Sequence, residues 1–381
     1  MASTRFLEEV TAHLSANAFT RTFSFSSAQL PVAGESPPAL AHQVLLLDGV
    51  SVIFQLSERN ERGKTKAADL EHWFAADVLK KGVDQIRNTQ DLLRSYSGIS
   101  LVNLRGHRVS FSAEALSNQV GLILYRALSA SGFAAPRFKK TRIAGFVHIM
   151  RDRDYFGLCE HLVTPCEIVE YLRFRQEILS RPHPVPATVS ESALLGQYLF
   201  EELDAPPDPR YETAGRSFRG DPNSWVFSYV IDNLSSQMAK RDDEIVETVY
   251  QRILAEVGML RRSELREFKT QLRLALEAVR GDRFELPYRL TSETTQCGFL
   301  VLPGSAEFRL RAREALESLA IASKHELGLE KQVSIAMWRS GEIIDIDWLY
   351  TEGPNPPNEK LDERLKRFYP FRRTSEQRNP V

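Results

Sequence analysis

The stretch AHQVLLLDGVSVIFQLSERN, Ala41 to Asn60, decides how the rest of the chain is read. Asp48 and Gly49 stand between two apolar runs, and an Asp-Gly pair in that setting is the strongest short-range signal for a β-hairpin. A two-residue turn there pairs Leu47 with Val50, Val44 with Ile53 and His42 with Gln55. Side chains alternate along a strand, so His42, Gln55 and Ser57 fall on one face, which Val44, Leu46 and Ile53 extend. Asp48 lies at the turn tip, roughly 20 Å from Gln55 if six or seven residues are extended at about 3.3 Å each. It makes the turn and cannot act with Gln55 on one atom.

Upstream of the hairpin, Phe6, Leu7, Val10 and Leu14 predict an amphipathic helix over Arg5 to Ala18. A strand over Thr20 to Leu30 and the loop PVAGESPPAL follow it. Downstream comes the charged connection SERNERGKTK, then a long helix from about Asp69 to Tyr96 with Leu70, Trp73, Phe74, Val78 and Ile86 along one face. Gln85 shares that face, so its amide must find a partner at the sheet. Strands are expected at Ser100 to Leu104, Val120 to Tyr125 and Ile143 to Met150. Thr164, Pro165 and Glu167 then form a capping box with proline at the first helical position, opening a helix that runs to about Leu179.

The proline-rich SRPHPVPATVSES, Ser180 to Ser192, has the composition of a linker and predicts two domains, 1–182 and 193–381. The second half predicts helices at Leu194 to Leu203, Asp243 to Val257, Ser263 to Val279 and Glu307 to His325. Strands at Gly298 to Leu302 and Val333 to Trp338 and the closing hairpin SIAMWRSGEIIDIDWLY make it an α/β unit of unassigned fold.

Composition bounds the function. With 381 residues, 49 basic against 50 acidic and a net charge of -1, the chain is not a polycation that coats nucleic acid or an anionic membrane. Three cysteines without CxxC spacing support neither a disulfide framework nor structural zinc. No run reaches the roughly 18 apolar residues of a membrane span, and no leader pattern opens the chain, so a cytoplasmic protein without membrane contact is expected.

The order helix, strand, hairpin, helix, carried by Arg5 to Tyr96, resembles the amino-terminal half of the PD-(D/E)XK nuclease superfamily. The resemblance covers residues 1 to 100 and extends to about 180. It implies a restriction-endonuclease-like mixed sheet flanked by helices and a site for Mg²⁺ or Mn²⁺. Hard oxygen ligands hold the ion, which polarises the scissile phosphate and activates water, while a lysine offsets charge. On that pattern the catalytic positions are Glu9, Gln55, Ser57 and Gln85, and the metal positions are Glu9, His42 and Gln55. The chain departs from the family at two of them. His42 stands where an Asp belongs, and Ser57 where a Lys belongs. Some relatives carry Gln-x-Lys, so Gln55 fits better than Ser57 does. Lys64 or Lys66 migrating in from the connection would replace the missing cation and Glu58 turning inward a carboxylate, while His13 joining His42 would favour a softer ion such as Mn²⁺ or Zn²⁺.

Metal-dependent phosphodiester cleavage is therefore expected to be lost or weakened, with the domain left to bind nucleic acid, DNA before RNA, or to regulate. Arg59, Arg62, Lys64, Lys66 and Lys81, with Lys80, are the phosphate-binding candidates. Two alternatives stay open, an active nuclease with a rearranged site and a protein-interaction module acting through the carboxy-terminal domain. GFVHIM and TPCEIVEYLRFR resemble segments of bacterial proteins from phage-defence settings. PRFKKTR, Pro136 to Arg142, suits nucleic acid or a surface strand alike. Asp345 and Asp347 share a strand face, for which an ordinary half-buried strand is the better account.

Overall fold

The computed structural model describes residues 22–31, 39–47, 49–59, 67–103, 106–116, 118–127, 135–217, 223–239, 244–354 and 358–372. The chain divides into two compact units, Met1–Arg219 and Gly220–Val381. The helix expected over Arg5 to Ala18 lies outside the described residues, and so do Glu9, His13, Asp48, Arg62, Lys64 and Lys66.

In the first unit, β1 (Ser24–Ser26), β2 (Gln43–Leu47) and β3 (Val50–Arg59) form an antiparallel meander. Leu47 pairs with Val50 and Val44 with Ile53, the register a two-residue turn dictates. Gly49 supplies the positive φ of +73° that such a turn needs. β1 is much shorter than the strand expected from Thr20 to Leu30, because a 3-10 turn at Ser27–Gln29 ends it. A long helix α1 follows, composed of α-helical Ala67–Trp73, π-helical Phe74–Lys80 and α-helical Lys81–Ser95.

After a small hairpin, β4 (Gly98–Val102) with β5 (Arg108–Ser112), the chain returns as β6 (Gln119–Ala127), parallel to β3. β8 (Gly145–Arg151) lies parallel to β6, and β7 (Phe138–Thr141) closes the edge antiparallel to it. The result is a six-stranded mixed sheet in the order β1-β2-β3-β6-β8-β7. PRFKKTR is thus edge strand β7 with its approach.

Helices cover both faces, which is why β3 and β6 read as near-continuous apolar runs. On one face α1 buries Phe74, Val78, Ile86 and Leu93 against Val44, Ile53, Ile123 and Val147. Two glycines let it sit close: a Cβ at Gly121 would come within 2.9 Å of Ile86, and one at Gly82 within 2.9 Å of Ile123. On the other face lie α2 (Asp152–Cys159) and α3 (Pro165–Leu179), with Phe54 edge-on to Tyr155 at 5.5 Å. The capping box of α3 is formed as its sequence predicts.

The division of the chain differs from the one its composition suggests. α4 (Glu191–Leu199) and α5 (Arg210–Ser217) belong to the first unit, so Ser180 to Ser192 is a strap within it and not a linker between domains. Arg175, wholly buried on α3, grips Glu191 of α4 with two donors at 2.7 and 3.0 Å. It also donates to the carbonyls of Arg137 and Ile149, each at 3.1 Å. Arg181 donates to the carbonyls of Leu203 and Ala205, and Arg137 to that of Val189. Prolines keep the strap out of helix while buried polar partners on either side hold its ends.

The second unit places a four-stranded sheet, β12-β11-β10-β9, between helices. β9 is Tyr288–Thr291, β10 Cys297–Gly304, β11 Lys331–Ser340 and β12 Ile343–Glu352. β10 and β11 are parallel, and the outer pairs are antiparallel. Its helices are α6 (Ser224–Ala239), α7 (Glu244–Gly258), α8 (Arg262–Arg280), α9 (Ala312–Glu326) and α10 (Glu359–Arg367). Phe268 of α8 packs on Phe299 from one side, while Leu316 of α9 joins Leu300, Leu302 and Ala336 on the other. α6 is an addition to the elements expected from sequence, its buried Val226, Phe227, Val230, Ile231 and Leu234 at helical spacing. No helix among the described residues is long and apolar enough to cross a membrane.

Candidate nucleic-acid interface

The hairpin register brings His42, Gln55 and Ser57 to the α1 face of the first sheet. Gln55 is buried and packs toward α1, its Cγ 3.4 Å from where a Cβ at Gly82 would stand. His42 Nδ1 lies 3.1 Å from Gln55 Oε1 and 3.2 Å from the donating amide of Leu56. This ring nitrogen is therefore engaged inside the hairpin whichever tautomer is present. Gln55 Nε2 donates to the Leu56 carbonyl at 3.0 Å. Burial holds the His42 pKa below its ordinary value, against the opposing pull of the Gln55 bond, and the nearby Lys81 charge lowers it further. His42 is accordingly a neutral imidazole at pH 7 with a lysine close by.

Gln85 stands apart from that group. Its Nε2 donates to the Leu40 carbonyl at 3.0 Å. Its neighbours on α1 act alike, Thr89 accepting from the Ala41 amide at 2.9 Å and Asn88 donating to the Ala39 carbonyl at 3.1 Å. Three side chains of α1 thus hold the segment that enters β2, which makes Gln85 a strut for the hairpin. Glu58 points to the opposite face, as its even position requires, and faces Arg126, which also binds Asp152. It does not supply a carboxylate beside Gln55.

Among the basic candidates, Arg59 donates to the Asp69 carbonyl at 2.5 Å, and its guanidinium lies 5.9 Å from the Trp73 ring centre. Lys80 and Lys81 are exposed on α1. Two residues on this face, at the carboxy-terminal ends of the parallel strands, were not expected from sequence. Tyr125 is paired with Ser57 across β3 and β6, packs edge-on to Phe74 at 5.1 Å and accepts from Arg151 Nε at 3.3 Å. The signal was present in VHIMR, an apolar run that breaks into an arginine at the strand end, where open α/β sheets bind ligands.

The described donors do not fit a Mg²⁺ site. Mg²⁺ needs near-octahedral oxygen ligands, anionic ones above all. This face offers an engaged imidazole, an amide and a hydroxyl, and among the described residues no group of three or more His, Cys, Asp or Glu is placed to hold a metal. The Asp345 and Asp347 pair is no exception, since Asp347 accepts from Arg313 at 3.2 Å and from the Trp348 amide at 3.0 Å.

A concavity of the first unit, about 440 Å³, lies beside α2, where Asp154, Glu160, Glu191 and Glu212 outnumber Arg153 and His161 among its charged and titratable lining residues. Burial and the neighbouring Glu191 charge push the Asp154 carboxyl up to about 6, against the pull of Arg151, Arg175 and Arg137. Its acids give this cleft the wrong sign for a phosphate backbone.

Fold and site together define an α/β protein of two units, the first a mixed sheet flanked by helices with a polar, lysine-rimmed hairpin face. No protein-family model, curated protein or solved structure matches the chain.

Proposed function

We propose that the first unit is a nuclease-like domain of the PD-(D/E)XK kind that binds nucleic acid, DNA before RNA, without metal-dependent cleavage. One observation carries the reading: Gly82 of α1 packs against Gln55, so the exposed Lys80 and Lys81 just before it border the hairpin face. Exposed cations beside a face without an anionic ligand set suit a phosphate backbone and not a metal-activated water. The order of an antiparallel meander, a helix and a strand returning parallel to β3 supports the resemblance. Arg151 beside Tyr125 extends the basic rim along the strand ends.

The test is fluorescence anisotropy of the full chain with a labelled DNA duplex between about 50 and 200 mM salt. Saturable, salt-dependent binding is expected. Lys80→Glu with Lys81→Glu should weaken it about tenfold or more and lower the salt slope by about one for each phosphate no longer neutralised. Both side chains are exposed, so the fold survives the exchange. Unchanged affinity in the double variant would reject this placement of the interface.

A further inference from the structure

In the second unit, α6, α8 and the β11–β12 hairpin enclose a groove of about 420 Å³ whose walls include Trp225, Tyr229, Leu276, Arg280, Arg339 and Ile343. That volume is within the range of pockets that seat a side chain or a small ligand. Three of its residues are large, apolar and open to solvent: Trp225 is 48% exposed, Tyr229 39% and Ile343 66%. Exposed apolar residues are ordinary when scattered, but a cluster of them marks an interaction site. Trp, Tyr and Arg together are also the residue types that dominate binding energy at protein interfaces.

The charges say what the groove would take. The Arg280 guanidinium lies 5.0 Å from the Trp225 ring centre and forms no ion pair among the described residues. Among the described residues, Arg339 donates only to the Gly341 carbonyl of its own turn, at 2.9 Å. Two guanidinium groups thus flank an apolar floor of Leu276 and Ile343, with Glu342 the one acid on the wall. Guanidinium forks match carboxylates in shape as well as in charge.

The edge of the sheet is closed to a different mode of binding. β12 is an outer strand, yet three carbonyls along its middle are already occupied. Tyr229 Oη donates to Ile344 at 3.3 Å, Gln237 Nε2 to Ile346 at 2.6 Å and Arg313 Nη1 to Trp348 at 3.0 Å. An incoming strand would find its hydrogen-bond partners taken. Recognition at this face falls to side chains.

We propose that the groove binds an acidic peptide segment of a partner protein, seating one apolar side chain between Trp225, Leu276 and Ile343 with flanking carboxylates on Arg280 and Arg339. A nucleic acid fits less well. The groove sets two cations around an apolar floor of Leu276 and Ile343, which seats a side chain and offers nothing to a phosphate backbone.

The test uses the full chain and three labelled eight-residue peptides, followed by fluorescence anisotropy. One carries a central Leu among Asp and Glu residues, the second Lys in place of the acids, the third Ser in place of the Leu. The acidic Leu peptide should bind saturably, and the other two at least tenfold more weakly. Arg280→Glu with Arg339→Glu should reduce its affinity tenfold or more and reverse the preference toward the Lys peptide. Trp225→Ala should weaken it comparably, and Arg280→Gln, a milder surface change, should weaken it in part. Equal binding of acidic and basic peptides, or indifference of the acidic Leu peptide to the arginine exchanges, would each overturn the proposal.

Discussion

Asp154 shows how one residue couples the first unit to pH. Its carboxyl is pushed from an ordinary value of 3.8 up to about 6 by burial beside Glu191. Between those values the folded chain holds a proton that the unfolded chain releases. The stabilisation from that proton is full below about 3.8 and is lost as pH rises through about 6. Asp154→Asn removes the ionisation while keeping the shape. In urea unfolding the variant should be more stable than the parent by on the order of 1 kcal/mol at pH 8, with the difference shrinking toward pH 4.5. A difference constant over that range would show that Asp154 does not titrate there. The residues of the candidate interface were partly legible in the sequence. Strand alternation placed His42, Gln55 and Ser57 on one face, because a period of two follows from covalent geometry alone. It could not reveal that Gln85 would spend its amide on Leu40, since that bond joins residues 45 positions apart. Tyr125 and Arg151 joined the site only through parallel pairing, a tertiary fact.

Among the elements, the strap between α3 and α4 shows why composition misplaced the boundary between the units. Prolines and small polar residues report how a segment behaves locally, whereas its anchoring depends on Arg175 and Glu191 at either side. Glu191 is nearly inaccessible and accepts from Tyr171 as well as Arg175. Removing its cation strands a buried charge. Arg175→Met should destabilise the first unit by about 3–5 kcal/mol, and Arg175→Met with Glu191→Leu should recover most of that loss. A double-mutant cycle read by urea unfolding checks it, and additive losses would mean the pair is not coupled. Elements with strong periodicity or caps were readable in advance, as α3 and the β2–β3 hairpin were. α6 was not, because its aromatic and β-branched residues have weak intrinsic helix preference and are held helical by packing, including Phe227 against Phe268. β9, four residues long, carries too short a pattern to separate from loop.

Across the whole molecule, each unit carries its own core and its own candidate surface. The first offers the lysine-bordered hairpin face, and the second the aromatic groove with its two arginines. The near balance of total charge conceals both, because 49 basic and 50 acidic residues cancel in sum while remaining local in effect. On the reading proposed above, the hairpin face binds nucleic acid and does not cut it. The decisive experiment incubates the full chain with end-labelled duplex and single-stranded DNA in Mg²⁺ and in Mn²⁺, following band shift and strand scission on the same samples. A shifted substrate recovered intact with either ion is expected. Nicking that depends on the metal and disappears in Glu9→Ala would contradict it.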